Sequence, residues 1–139
     1  MKVVVDTNQL LSSISTKSSS HWLYQAIFSG KFTLCVTTDI LAEYDEIIEW
    51  GFGRRDVADT VLEALINSPN VELVNVSFYW WLITADPDDN KFSDCAIAGG
   101  VDYLVTEDKH FNVLATVEFP RINVIGLEEF YEILKSQSS

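Results

Sequence analysis

The sequence has few cysteines and few basic residues, and it has no long apolar run. The only cysteines, Cys35 and Cys95, both have apolar sequence neighbours, so we expect buried free thiols of a cytoplasmic protein and no disulfide. No stretch approaches the roughly 18 consecutive apolar residues of a membrane span. The N-terminus also lacks the apolar region and cleavage site of a signal peptide. These absences argue against a membrane-spanning, secreted or disulfide-rich protein.

Positive charge is also scarce. The chain has 9 Lys and Arg residues against 21 Asp and Glu residues, which gives a formal net charge of −12. Such a charge disfavours broad, non-specific affinity for nucleic acid, because that affinity depends on neutralising phosphates. It favours cations or basic partners, and it is equally explained by solubility alone.

The sequence does contain enough apolar residues for one core. Its 139 residues are 47% hydrophobic, which is typical of a single globular domain. We predict one domain over residues 1–135 and a frayed tail over 136–139.

Strand and helix patterns alternate along the chain, which predicts an α/β fold with a parallel sheet between two layers of helices. The predicted strands are 2–5, 32–36, 71–74, 101–105 and 121–125. The predicted helices are 8–13, 21–29, 40–50, 54–67, 91–99 and 126–134, with a break at 51–53.

The first strand ends in a group of polar residues. Three valines precede Asp6, Thr7 and Asn8, and such an apolar run is typical of a strand that is covered on both faces. Reactive groups of open α/β sheets gather beyond the carboxyl ends of the strands. Asp6 is therefore either a site residue or merely the N-cap of the next helix, and this stretch alone does not distinguish the two.

Three further acids have comparable positions. Asp108 follows the fourth predicted strand, Glu43 lies at the border of an apolar helix face, and Asp94 lies within a helix of small residues. Carboxylates gathered in one crevice repel each other, and a divalent cation removes that conflict. Oxygen ligands favour Mg²⁺ or Mn²⁺, which can activate water for phosphodiester hydrolysis.

The full set of motifs resembles the PIN-domain nuclease family, especially the small bacterial and archaeal toxins of VapBC-like toxin–antitoxin pairs. The matching stretches are Val3-Val4-Val5-Asp6-Thr7-Asn8, Leu41-Ala42-Glu43-Tyr44, residues 86–96 from Asp86-Pro87-Asp88 to Asp94-Cys95-Ala96, and residues 102–108 ending in Thr106-Glu107-Asp108. The resemblance implies a three-layer α/β/α PIN-like fold with a five-stranded sheet in the order 3-2-1-4-5. It also implies Mg²⁺- or Mn²⁺-dependent cleavage of single-stranded RNA, an antitoxin partner and a homodimer.

The resemblance carries the acidic site over to this chain. It implies that Asp6, Glu43, Asp94 and Asp108 hold the metal and act in catalysis, and we expect Thr106 and Asn8 to support Asp6. The related proteins usually have Thr-Gly-Asp-Lys-Asp after the fourth strand, where this chain has Glu107 for the glycine and His110 for the last Asp. The change to His110 removes an auxiliary carboxylate. Asp89 we assign to helix capping in preference to metal ligation.

Two features concern the partners of such a site. The basic residues that we predict near the crevice, as contacts for RNA phosphates, are Lys91, Lys109, Arg54 and Arg55. The run Phe78-Tyr79-Trp80-Trp81-Leu82 has too many aromatic residues for one strand face. It predicts either a self-association or docking surface or core packing beneath a loop.

Other functions remain open on the sequence alone. A phospho-acceptor domain would need an acid after the third strand, where Asn75 stands, and a haloacid-dehalogenase-like phosphatase would need an acid at Asn8. An inactive PIN-like module that acts through a protein partner fits the same residues as the nuclease does.

Overall fold

Five parallel strands form a single sheet in the computed structural model, which describes residues 1–137. The strands are β1 (Lys2–Val5), β2 (Thr33–Val36), β3 (Val71–Leu73), β4 (Tyr103–Val105) and β5 (Val124–Ile125). Their order is β3-β2-β1-β4-β5, which confirms the predicted topology. The central strand pairs with both neighbours, so that Val3 lies opposite Leu34 of β2 and Tyr103 of β4.

Helices flank the sheet and complete the three-layer α/β/α fold. They are α1 (Thr7–Ile14), α2 (His21–Phe28), α3 (Thr38–Phe52), α4 (Arg55–Asn67), α5 (Asn90–Gly99) and α6 (Leu127–Gln137). Two 3-10 helices, Pro87–Asp89 and Lys109–Thr116, precede α5 and follow β4. No helix in the described part of the chain is both long and apolar enough to cross a bilayer.

The core is built around β1. Val3, Val4 and Val5 are completely buried, as expected for a strand with helices on both faces. Tyr44 of α3 is also fully buried, and its hydroxyl donates to the carbonyl of Val5. This bond fixes α3 against the carboxyl end of β1 and thereby sets the position of the neighbouring Glu43.

The predicted helix break at 51–53 is confirmed at Gly53 but not at Gly51 and Phe52. Helix α3 continues through Gly51 and ends at Gly53, which has the left-handed conformation (φ 65°) of a helix terminator. A Cβ on Gly51 would lie 3.0 Å from a methyl carbon of Leu11. The glycine therefore allows close packing of α1 on α3, and it does not stop the helix.

The last helix extends beyond its predicted end. Helix α6 continues to Gln137, three residues past Leu134, so residues 136 and 137 belong to it. Residues 138 and 139 of the predicted tail lie outside the described residues.

Candidate metal centre

Asp6 joins the ends of the two central strands. Its Oδ1 accepts from the backbone N–H of Gln9 at 3.0 Å, and its Oδ2 accepts from the hydroxyl of Thr106, just beyond β4. Asp6 is only 5% exposed. The N-cap interpretation of Asp6 is therefore correct, and it is compatible with a site at the sheet edge because one carboxylate makes both contacts.

Asp108 lies on the other side of Thr106. Its backbone N–H donates to the Thr106 hydroxyl at 2.9 Å, and its Oδ1 accepts from the backbone N–H of His110 at 2.9 Å. Burial raises the pKa of Asp6, and its bonds with Thr106 and Gln9 only partly offset this effect. Repulsion from Asp108 and Glu43 raises the pKa of Asp6 further.

Glu43 approaches the same edge from α3. Its Oε2 accepts from the hydroxyl of Thr7, the residue after Asp6, and its Oε1 lies 2.8 Å from the ammonium nitrogen of Lys91. The Glu43 and Lys91 side chains are each 24% exposed, so water screens this ion pair less than a surface pair. Lys91 therefore connects α3 to the first turn of α5.

Asp86 and Asp89 form a second acidic group at the start of α5. In a 3-10 helix, side chains three residues apart lie on the same face, and these two acids flank the Pro87–Asp89 turn. One ligand atom from each of Asp86, Asp89 and His110 lies within 4.8 Å of the others. Burial first, then repulsion from Asp86 and Asp108, raises the pKa of Asp89 to about 6.

Asp89 occupies the predicted N-cap position of α5, but it does not cap this helix with its side chain. Its side chain makes no capping bond to α5, and its Oδ2 lies 3.4 Å from Nδ1 of His110. Capping of the 3-10 turn is supplied by Asp86, whose Oδ1 accepts from the backbone N–H of Asp88 at 3.1 Å. The spacing of Asp86 and Asp89, three residues apart, is the sequence signal that could have predicted a shared face.

These contacts form two sets that line one crevice. Glu43 contacts Thr7 and Lys91, His110 links Asp89 to Asp108, and Thr106 links Asp108 to Asp6. The carboxylates that the crevice brings together are those of Asp6, Glu43, Asp89 and Asp108, with Asp86 beside Asp89.

Asp94 has different surroundings from those predicted. It is 4% exposed, so it points inward as expected, but its Oδ1 accepts from the backbone N–H of Trp80 at 3.1 Å. Burial raises the pKa of Asp94, and this bond opposes the shift. Asp94 belongs to α5, whereas Asp89 ends the Pro87–Asp89 turn that precedes this helix. The two acids therefore belong to different elements and have different neighbours.

Asn8 is exposed, whereas the bonds to Asp6 described above come from Gln9 and Thr106. A role for Asn8 in orienting Asp6 stays a prediction.

The predicted phosphate contacts divide into two pairs. Lys91 lies in the crevice, and exposed Lys109 follows Asp108. Arg54 is the N-cap residue of α4 and Arg55 is its first residue. Arg54 pairs with an acid of its own helix, and Arg55 bonds three acids of α3 and α4. This geometry argues against their contact with phosphate in the crevice.

The crevice residues fit a divalent cation. Carboxylate oxygens are the ligands that Mg²⁺ and Mn²⁺ prefer, and an imidazole nitrogen from His110 is compatible with Mn²⁺. The raised pKa values of Asp6 and Asp89 reflect desolvation and mutual repulsion, both of which a bound cation would offset.

Comparisons with known proteins agree with this fold. The sequence profile of the PIN domain matches residues 2–110, which include every crevice residue named above. No curated protein matches the chain. A solved structure, described as the crystal structure of VapBC2 from Rickettsia felis bound to a DNA fragment from their promoter, is similar with a TM-score of 0.61. It is 17% identical, and the alignment covers 91% of this chain and 98% of that chain. Because the profile spans well over half of the sequence, the chain belongs to the PIN domain family.

Proposed function

We propose that this protein is a Mg²⁺- or Mn²⁺-dependent ribonuclease that hydrolyses phosphodiester bonds of single-stranded RNA. The observation that carries the proposal is the group of carboxylates at the carboxyl ends of β1 and β4, in a chain that belongs to the PIN domain family. Acids in this position can hold a cation where a phosphate would approach.

The residues that would hold the cation are Asp6, Asp89 and Asp108, and Glu43 would complete the set or orient the attacking water. A cation held there would activate a water molecule and stabilise the leaving oxygen. Asp89 replaces Asp94 of the sequence-based set, because Asp89, at the end of the Pro87–Asp89 turn, interacts with Asp108.

Neighbouring side chains position these carboxylates and balance their charge. Thr106 holds Oδ2 of Asp6 and the backbone of Asp108 in fixed positions, so it acts as a positioning residue. The ammonium nitrogen of Lys91 lies 2.8 Å from Oε1 of Glu43 and neutralises its charge. With a cation at Glu43, the Lys91 ammonium would be free to contact an RNA phosphate, and exposed Lys109 would offer a second contact.

Replacement of Asp6 tests the proposal. We expect Asp6→Asn to abolish Mn²⁺-dependent cleavage of single-stranded RNA while the fold is retained. The Asn oxygen can still accept from the N–H of Gln9 and its NH2 group can donate to the hydroxyl of Thr106, whereas the charge is lost. In the absence of metal the variant should unfold at a higher temperature, since one desolvated and repelled charge is gone.

The matched control is Asp102→Asn. Asp102 is an exposed acid at the opposite, amino-terminal end of β4, where its Oδ2 accepts from the backbone N–H of Lys2 at 2.8 Å. This control should cleave like the wild type. Cleavage by Asp6→Asn at the wild-type rate would refute the proposal, as would a calorimetric titration that detects no binding of Mn²⁺.

The partners are also part of the proposal. The similar solved structure is titled as a VapBC2 complex, so we propose an antitoxin protein as the partner of this chain, which would then be the toxin of the pair in the cytoplasm. The homodimer predicted from the aromatic run stays a prediction, and sedimentation equilibrium of the isolated protein would test it.

An inactive PIN module that acts through a protein partner is the second candidate. The ion pair between Lys91 and Glu43 favours it, because an ammonium already satisfies one of the crevice acids without any metal. Retained partner binding by a protein that neither binds Mn²⁺ nor cleaves RNA would support this alternative.

A further inference from the structure

A pocket of about 310 Å³ lies beside the metal crevice, near the lower end of the roughly 300–1,000 Å³ of ligand pockets. Its lining includes the aromatic residues Tyr79 and Trp81 and, from α5, Asn90, Lys91 and Asp94. Part of the lining is therefore the same helix that supplies Lys91 to Glu43.

Aromatic rings are exposed at this pocket. Tyr79 is 60% exposed and Trp81 is 67% exposed, in a segment between β3 and the Pro87–Asp89 turn that forms no helix or strand. Exposed aromatic surface is costly unless a ligand or partner covers it. Core packing, one of the two interpretations of the aromatic run, does not apply to these two rings.

The segment that carries the rings is held by side chains of α5. Asp94 accepts from the N–H of Trp80, and the Asn90 amide bonds both the N–H and the carbonyl of Ile83 at 2.9 and 2.7 Å. Between these attachments Trp81 has a positive φ of 53°, which is uncommon for a bulky residue and persists where surrounding contacts impose it. The rings are therefore presented in a fixed arrangement before any ligand arrives.

The polar lining indicates what kind of ligand fits. The carboxylates of Asp39 and Asp94 line the pocket. Carboxylates can only accept hydrogen bonds when ionised, and their charge disfavours a phosphate inside the pocket. A nucleobase stacks on aromatic rings, and the amino groups of cytosine and adenine donate to acceptors. Uracil has no amino group, so it satisfies such a lining less well.

We propose that this pocket binds a base of single-stranded nucleic acid next to the phosphate that is cut, with Tyr79 and Trp81 as stacking residues, and that it prefers bases with an exocyclic amino group. The choice of ligand rests on the nuclease function proposed above. Lys91 lines the pocket and reaches Glu43, so a bound base would bring its backbone towards the acids of the crevice.

Binding of labelled oligonucleotides without cleavage tests the proposal. Fluorescence anisotropy would be measured in low-salt buffer with EDTA, using single-stranded octamers of cytidine, adenosine or uridine. Trp81→Ala should weaken binding of the cytidine octamer about 5- to 150-fold, the range that loss of one stacking residue gives. Trp81→Phe keeps a ring and should retain most of the affinity.

Trp50→Ala is the matched control. Trp50 lies on α3 and is 79% exposed, but it does not line this pocket, so its replacement should leave binding unchanged. Wild-type protein should bind the cytidine and adenosine octamers at least about 5-fold more tightly than the uridine octamer, since one base-edge hydrogen-bond pair is worth that much.

The proposal is overturned if the wild type binds none of the octamers, if Trp81→Ala binds like the wild type while remaining folded by circular dichroism, or if Trp50→Ala is equally impaired. Unchanged binding by folded Trp81→Ala would leave the rings as a contact for a protein.

Mn²⁺-dependent cleavage, measured in parallel, separates the base-binding pocket from the proposed nuclease function. Trp81-dependent binding without cleavage would remove the nuclease and keep the pocket, and cleavage with Trp81-independent binding would do the reverse.

Discussion

Replacement of Asp89 by asparagine should stabilise the metal-free protein at neutral pH. Burial and the neighbouring acids raise the pKa of Asp89 from its ordinary 3.8 to about 6. The folded state therefore binds more protons than the unfolded state between these two values, and stability falls as the pH rises through that window. Above pH 6 the ionised carboxylate exerts its full destabilising effect, which the substitution removes.

The size of this effect follows from the pKa shift. A shift of roughly 2 units at about 1.4 kcal/mol per unit corresponds to about 3 kcal/mol. Solvent reaches part of the site, since the Asp89 side chain is 15% exposed and His110 beside it is 45% exposed, so we expect roughly half of this value. The gain should be about 1.5 kcal/mol at pH 7.5, and about half as much at pH 5 because the folded carboxylate is then mostly protonated.

Urea unfolding in EDTA at both pH values measures the gain. The matched control is Asp88→Asn, an exposed acid in the same 3-10 turn, which should change the free energy of unfolding by less than about 0.5 kcal/mol. Addition of Mn²⁺ should stabilise the wild type more than Asp89→Asn, because the variant lacks one ligand. A variant that is no more stable than the wild type in EDTA at pH 7.5 would refute the reasoning.

Three further substitutions or treatments have definite expected results. Thr106→Val removes the bond to Asp6, so calorimetry should show about 10- to 100-fold weaker Mn²⁺ binding; unchanged affinity would contradict the positioning role. Tyr44→Phe leaves the β1 carbonyl without its buried donor, and urea unfolding should detect a loss of about 1–3 kcal/mol. Burial raises the pKa of Cys35 to about 11 and that of Cys95 to about 12, so a thiol reagent at pH 8 should modify both cysteines only in denaturant.

The sheet and the strand-end residues could be predicted because local sequence determines them. An uninterrupted valine run can only be buried on both faces in a layered fold, and the structure buries Val3 to Val5 completely. Parallel strands place their carboxyl ends at one edge. Asp6 and Thr106 could therefore be expected to meet across adjacent strands, although they are 100 residues apart in sequence.

The surroundings of Asp89 and Asp94 could not be predicted in the same way. Helical periodicity correctly predicts that Asp94 points inward, but it does not say what lies there. The neighbour is the backbone of Trp80, in a segment without regular structure whose path depends on tertiary contacts. Asp89 was missed because an acid before a helix usually acts as a cap, and here Asp86 supplies the cap of the preceding turn instead.

The ion pair between Lys91 and Glu43 has a consequence for the metal-dependent activity that we propose. The ammonium is an internal counter-ion at the mouth of an anionic cleft, so the polypeptide can reach its native state before any cation arrives. A chelator should then abolish the proposed cleavage activity reversibly without unfolding the protein, in contrast to domains that fold only around their metal. Availability of the ion would thus regulate what the protein does and leave its abundance unchanged.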